Sequence, residues 1–183
     1  MRLFTGVWPD EKTAAAVKDY KRTLARRLDG VKWVAEGNEH FTLRFLGETP
    51  RERAGAVESA VARGAAKVEP FTAEVGGVVL LPSPRKVRVI ALGLVSGGER
   101  MRELFDAVEE ELAGEGYERE GRPFKAHLTL GRLKRPARGI DLPAPGDEFG
   151  EMPVDEVRLV ESVLSNKGPS YASLARVRLG GEG

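Results

Sequence analysis

His40-Phe-Thr-Leu43 and His127-Leu-Thr-Leu130 decide how this chain is read, because they are the same four-residue pattern written twice. They hold the only two histidines among 183 residues. With seven threonines in the chain, both histidines meet a threonine two positions on in only about one of several hundred random shuffles. An isolated His-x-Thr is ordinarily a strand histidine; two copies in the same apolar, β-prone setting point to a duplicated site.

Strand alternation gives the pattern its physical content. Residues i and i+2 share one face of a strand and i+1 and i+3 the other. His40 and Thr42 therefore stand side by side, as do His127 and Thr129. Phe41, Leu43 and Phe45 are expected on the opposite face against a core, with Leu128 and Leu130 repeating them. An arginine follows each motif, Arg44 and Arg132. Both are expected to extend the polar face, where a guanidinium binds phosphate bidentately.

Outward from the motifs, the halves share an order of strand, helix, then a strand opening on His-x-Thr-Leu. Arg2 to Trp8 reads as a strand and Asp10 to Leu28 as an amphipathic helix on Ala14, Val17, Tyr20, Leu24 and Leu28. Val31 to Ala35 is a short strand carrying Trp33. Thr49-Pro50-Arg51-Glu52 has the form of a capping box for a helix from Pro50 to about Val68. Phe71 to Leu81 follows as a strand with a bulge at Gly76-Gly77, then a turn at Pro82 to Arg85. Lys86 to Leu94 is a strand, and a helix runs through Met101, Leu104, Val108 and Leu112. Glu118 to Lys125 is a charged loop before the second motif. Pro136 to Pro153, rich in proline and glycine, reads as loop, and Val154 to Leu164 with Tyr171 to Leu179 as a hairpin around Ser165 to Ser170.

Composition sets the bounds. A chain of this length makes one domain, or two small lobes sharing a core. Without cysteine it has no disulfide, thiol nucleophile or zinc-thiolate site. No signal stretch and no run of some 18 apolar residues is present, so a cytoplasmic protein with no membrane contact is expected. A formal charge of +1 argues against a long nucleic-acid groove but suits a pocket for a terminal phosphate. Arg85, Lys86 and Arg88 are expected to be plain surface.

The pattern resembles the two-histidine phosphoesterase superfamily, and within it the RNA 2′,3′-cyclic phosphodiesterases, also called 2′-5′ RNA ligases. The likeness runs nearly end to end: Met1-Arg-Leu-Phe4, the Trp33 segment, His40-Phe-Thr-Leu-Arg-Phe-Leu-Gly47, Phe124-Lys-Ala-His-Leu-Thr-Leu-Gly-Arg132, and Leu159 to Leu174 with Gly168-Pro-Ser-Tyr171. It implies an α+β fold, 1–183 as a single domain of two pseudo-symmetric lobes, each a mainly antiparallel sheet backed by helices, around a central cleft. It also implies hydrolysis of RNA 2′,3′-cyclic phosphate ends to 2′-phosphates with no cofactor and no metal. With O3′ as the leaving group, His40 is expected as the general acid and His127 as the general base, the reverse assignment being the alternative since nothing in the sequence fixes direction. The Thr42 and Thr129 hydroxyls are expected to bind the phosphoryl oxygens. Arg44, Arg132 and Tyr171 would contact substrate.

Partners implied are RNA 3′ ends or small cyclic nucleotides, met by a monomer. Run backwards with an RNA 5′-hydroxyl, the same groups would form a 2′-5′ linkage without ATP. Three rivals stand beside this. A metal site lacks ligands at close spacing. A non-catalytic nucleotide-binding module would not need both motifs intact. Enzymes acting on ADP-ribose cyclic phosphate or 2′-5′ oligoadenylate share the motif.

Overall fold

Arg2–Val7 (β1) alternates into a strand whose last five residues are all buried, which places it inside a sheet rather than at an edge. The computed structural model describes residues 1–146, 149–165 and 168–181. After β1 come α1 (Glu11–Ala25), β2 (Val31–Trp33), β3 (Phe41–Glu48), a 3-10 turn (Arg51–Arg53) and α2 (Ala54–Ala66). Then follow β4 (Phe71–Ser83), β5 (Lys86–Ser96), α3 (Gly98–Gly114), β6 (Leu128–Ala137), β7 (Glu151–Val154), β8 (Glu156–Ser165) and β9 (Gly168–Arg178). No helix among the described residues is long and apolar enough to cross a membrane.

All pairings are antiparallel, in the order β7-β4-β5-β6-β3-β1-β8-β9, with β2 paired to β6. The two motif strands are the central neighbours. They touch at a single recorded pair, Phe41 with Leu128, so the sheet falls into two four-strand halves hinged at that point. Each half repeats strand, helix, motif strand: β1-α1-β3 and β5-α3-β6.

The helices cross over. Asp10 caps α1 by accepting the Thr13 N–H at 3.2 Å, and Val17, Tyr20 and Leu24 are buried along its inner face. The helix docks against the segment leading to β7. Tyr20 meets Phe149 edge-on at 5.8 Å and donates its hydroxyl to the Pro143 carbonyl at 2.7 Å. On the other half, α2 and α3 pack together over β8, β9 and β3. They cross closely at Gly64, where a β-carbon would stand 2.7 Å from the Val108 α-carbon. Gly64→Ala is therefore expected to lower stability by about 1–3 kcal/mol, read as a drop in the urea midpoint; an unchanged midpoint would show that the helices do not cross there as described.

Three expectations need correction. Thr49 does not cap: it is buried, its hydroxyl pairs with the Tyr117 hydroxyl at 3.3 Å, and helix entry through Pro50 has no side-chain cap. The strand before the turn runs on to Ser83, so only Pro84 and Arg85 turn. The stretch 136–153 is not all loop. Its end is β7, an edge strand that buries Met152 and Val154 against β4 and leaves Pro153 outward, where a missing N–H costs nothing. The bulge at Gly76-Gly77 is present, with Gly77 at φ 70°. The expected hairpin forms from β8 and β9, and residues 166–167 of its turn lie outside the described residues.

Candidate active site

The pairing of Phe41 with Leu128 fixes the site. One step outward along an antiparallel pair on either side sets His40 opposite Thr129 and Thr42 opposite His127. The register thus brings the two imidazoles and two hydroxyls of the motifs to the place where the two motif strands meet. Phe41 and Leu128, at the centre, are fully buried on the other face.

Both rings are held in the same way. His40 Nδ1 lies 2.7 Å from the Asn38 carbonyl and His127 Nδ1 lies 2.8 Å from the Lys125 carbonyl, in each case two residues upstream. A carbonyl can only accept, so Nδ1 carries the proton in both rings and Nε2 is the working nitrogen. His40 Nε2 sits 3.0 Å from the Thr42 hydroxyl.

The loops that supply those carbonyls are tied down. Before His40, Lys21 reaches from α1 to the Val34 carbonyl at 2.8 Å and to the buried Glu39 carboxylate. Glu39 in turn accepts the Gly37 N–H at 2.9 Å, and the Trp8 indole donates to the Gly37 carbonyl at 3.2 Å. Before His127, Phe124 stacks on Phe105 at 4.5 Å and its carbonyl accepts from Arg102 at 3.0 Å. Each acceptor carbonyl is thereby fixed before its histidine arrives.

The two rings differ in surroundings. His40 rests against Trp8 (centroids 4.5 Å, planes 17° apart) and Phe4 (4.9 Å, 30°), with Tyr171 edge-on at 5.5 Å. Burial in this aromatic nest lowers its pKa to about 4, opposed by the Asn38 carbonyl and the Glu39 charge and reinforced by His127. His40 is thus neutral at pH 7 in the free protein. Gly6, paired with Thr42, makes the room: a β-carbon there would lie 2.9 Å from the Phe41 carbonyl and 3.1 Å from the His40 ring. Burial also raises the Tyr171 hydroxyl, an effect that Arg132 partly offsets.

A matched pair of bulges sorts the residues beyond the threonines. On β3, Gly6 pairs with Thr42 but Thr5 pairs with Arg44, so Leu43 is the extra residue. On β6, Ala91 pairs with Thr129 but Ile90 with Gly131, so Leu130 is extra. The insertion slips the alternation by one. Arg44 consequently turns to the helix side, where it forms an ion pair with Glu109 at 2.8 Å and donates to the Phe45 and Glu118 carbonyls. It lines no part of the pocket, contrary to the expectation of a phosphate contact. Phe45, expected in the core, is 62 % exposed and lines the pocket. Arg132 stands three positions after Thr129, so the Leu130 bulge returns it to the pocket face as the counterpart of Phe45.

The pocket holds about 240 Å³ and is lined by His40, Thr42 and Phe45 from β3 and its entry, Thr129 and Arg132 from β6, Trp33 from β2 and Tyr171 from β9. Sequence reasoning missed Trp8, Phe4 and Gly6, which shape the His40 side, and the Lys21–Glu39 clamp. None carries a local signal: Trp8 reaches His40 only because β1 pairs with β3 at Val7 and Phe41. His127 does not line this pocket; it stands close enough for its charge to act on His40. Two imidazoles so placed, with two hydroxyls and one guanidinium, can move one proton on each side of a tetrahedral anion while donating to its oxygens.

A family model described as LigT like Phosphoesterase matches residues 7–91 and 92–171, one His-x-Thr motif in each segment. The Archaeoglobus fulgidus protein named RNA 2′,3′-cyclic phosphodiesterase is 37% identical over 177 residues, covering 95% of this chain and 98% of its own. A crystal structure of a Thermus thermophilus protein superposes with a TM-score of 0.85 at 31% identity over 100% of both chains. The crystal structure of Escherichia coli LigT complexed with 3′-AMP gives a TM-score of 0.81 at 25% identity over 97% of each chain.

Proposed function

Since the chain belongs to the LigT-like phosphoesterases, we propose that it hydrolyses RNA 2′,3′-cyclic phosphate ends to 2′-phosphates by transferring protons through its two histidines. It is an RNA 2′,3′-cyclic phosphodiesterase. The observation that supports the mechanism is the shared tautomer: both Nδ1 atoms face carbonyls, which leaves both Nε2 atoms as the working nitrogens.

His127 Nε2 takes a proton from a water as its oxygen bonds to phosphorus. The bond from phosphorus to O3′ breaks, and His40 Nε2–H delivers a proton to the leaving O3′, so the product bears a 2′-phosphate and a free 3′-hydroxyl. Each transfer is worth roughly 10²- to 10⁴-fold. Thr42, Thr129 and Arg132 donate to the phosphoryl oxygens. Tyr171 stands edge-on to His40, and the exposed Phe45 packs on Phe4, which itself stacks on His40; this supports base and ribose on that side, with the leaving oxygen beside His40.

The acid must first be charged. A phosphate anion about 4 Å away contributes about 4 kcal/mol at an effective dielectric of about 20. That equals about three pH units, enough to bring His40 from about 4 to near neutrality. Binding of the anionic substrate thus loads the proton that the reaction spends. With an RNA 5′-hydroxyl in place of the attacking water, the same displacement forms the bond from O5′ to phosphorus and breaks that to O3′, which joins a 2′-5′ linkage. The protein acts as a monomer in the cytoplasm under this proposal.

Phe45→Ala is expected to raise KM for an adenosine-ended substrate by about 5- to 100-fold, the worth of one base stacked on an aromatic ring, with kcat changed far less. A KM within twofold of the parent would remove Phe45 from the site. The activity itself is tested by incubating an RNA ending in 2′,3′-cyclic phosphate with the protein in EDTA. A 2′-phosphate product is expected; a 3′-phosphate would reverse the acid and base assignment, and absence of turnover would refute the activity.

A further inference from the structure

The two bulges are matched, but the residues beyond them differ in charge. Three residues beyond the threonine, the first motif strand carries Phe45 and the second carries Arg132, which Lys134 follows two positions on. Across from Arg132 on β2 stands Lys32, and Lys134 continues the same face, its N–H bonded to the Gly30 carbonyl at 2.9 Å. Lys32, Arg132 and Lys134 are all exposed.

Among the described residues no carboxylate lies within ion-pair distance of Lys32, Arg132 or Lys134. Ion pairs hold Lys18 to Glu36, Lys21 to Glu39, Arg44 to Glu109, Arg63 and Lys67 to Glu110, Glu111 and Glu115, and Arg158 to Glu156, while other exposed cations, Arg135 and Arg138 among them, likewise have no carboxylate partner among the described residues. What sets this row of three on one strand pair apart is its position. It begins at the pocket, since Lys32 and Arg132 both line it, and runs outward along β2 and β6.

We propose that Lys32 and Lys134, continuing from Arg132, form a track for the phosphates that precede the reacting 3′ end of a single-stranded RNA. The track rests on the phosphodiesterase activity set out above and adds the direction in which the chain leaves the site. The terminal base lies toward Phe45 and Tyr171, and the upstream backbone crosses β2 and β6 on the His127 side. A single nucleotide, having no upstream phosphate, makes no use of Lys134.

The test compares kcat/KM for an RNA oligonucleotide ending in 2′,3′-cyclic phosphate with that for adenosine 2′,3′-cyclic phosphate, over a series of salt concentrations. Lys134→Ala is expected to cost about fivefold on the oligonucleotide and to leave the adenosine substrate within twofold, and Lys134→Glu to cost more. Removing Lys32 and Lys134 together is expected to cost about 30-fold on RNA and to make the log–log salt dependence shallower by about 1.4, from about 0.7 per phosphate contact. Unchanged RNA kinetics, or equal losses on both substrates, would overturn the track. If the parent turned over neither substrate, the activity itself would have failed. Binding of an oligonucleotide with a 2′-phosphate end, followed by fluorescence anisotropy, would then decide the track alone: a salt slope indifferent to Lys134→Glu contradicts it.

Discussion

His40→Gln and His127→Gln are each expected to lower kcat/KM on a 2′,3′-cyclic phosphate end by about 10²- to 10⁴-fold, and the double variant to lose little more than the worse single one. Groups that act on the same transition state are not additive. Losses that multiplied would mean that the two rings serve separate steps. Folding supplies a control. His40 has a native pKa of about 4 against an ordinary value near 6.5, so the unfolded chain binds more protons between those values. Its neutral form favours the native state above about pH 6.5, and that advantage is lost as pH falls toward 4, by about 3 kcal/mol in all. His40→Gln should therefore lose less stability than the parent between pH 6.5 and 4 while remaining inactive. A variant that denatured in parallel with the parent would contradict the aromatic burial of this ring.

The second large effect comes from a residue with no side chain. Gly6→Val would put carbon 2.9 Å from the Phe41 carbonyl and 3.1 Å from the His40 ring, with Trp8 at 3.3 Å behind it. The backbone cannot yield, because Gly6 is paired on both sides, to Thr42 and to Arg158. The ring and the indole must move instead. A displacement of about 1 Å costs on the order of 100-fold in rate, alongside about 1–3 kcal/mol of overpacking. Activity measured well below the melting temperature separates the two. Full activity in Gly6→Val would mean that His40 is not held against Trp8 and Phe4.

How far the sequence carries the fold can be judged from these residues. The doubled motif and the helical stripes of α1 and α3 were legible because each repeats a period set by backbone geometry. His40 and Thr42 fall on one face as alternation requires, 3.0 Å apart, and on the second strand Leu128 and Leu130 go into the core. Alternation fails just beyond, since one residue inserted at Leu43 or Leu130 is compensated by the partner strands β1 and β5, which a local pattern does not contain. That single effect sends Arg44 to Glu109 and exposes Phe45. The buried Thr49 is a similar case: its hydroxyl prefers Tyr117, 68 residues away, to a helix end next to it. Edge strand β7 was hidden because proline argues against strand except where a strand has no neighbour to bond. Trp8 and the Lys21–Glu39 clamp meet His40 only through tertiary packing.

The central claim is that both imidazoles address one phosphate, and with only two histidines in the chain it can be seen directly by nitrogen NMR of the labelled rings. Titration with adenosine 2′-monophosphate is predicted to shift both Nε2 resonances along one binding curve and to lift His40 from its pKa of about 4 toward neutrality. A response from only one ring, or an unmoved His40 at saturating nucleotide, would contradict it.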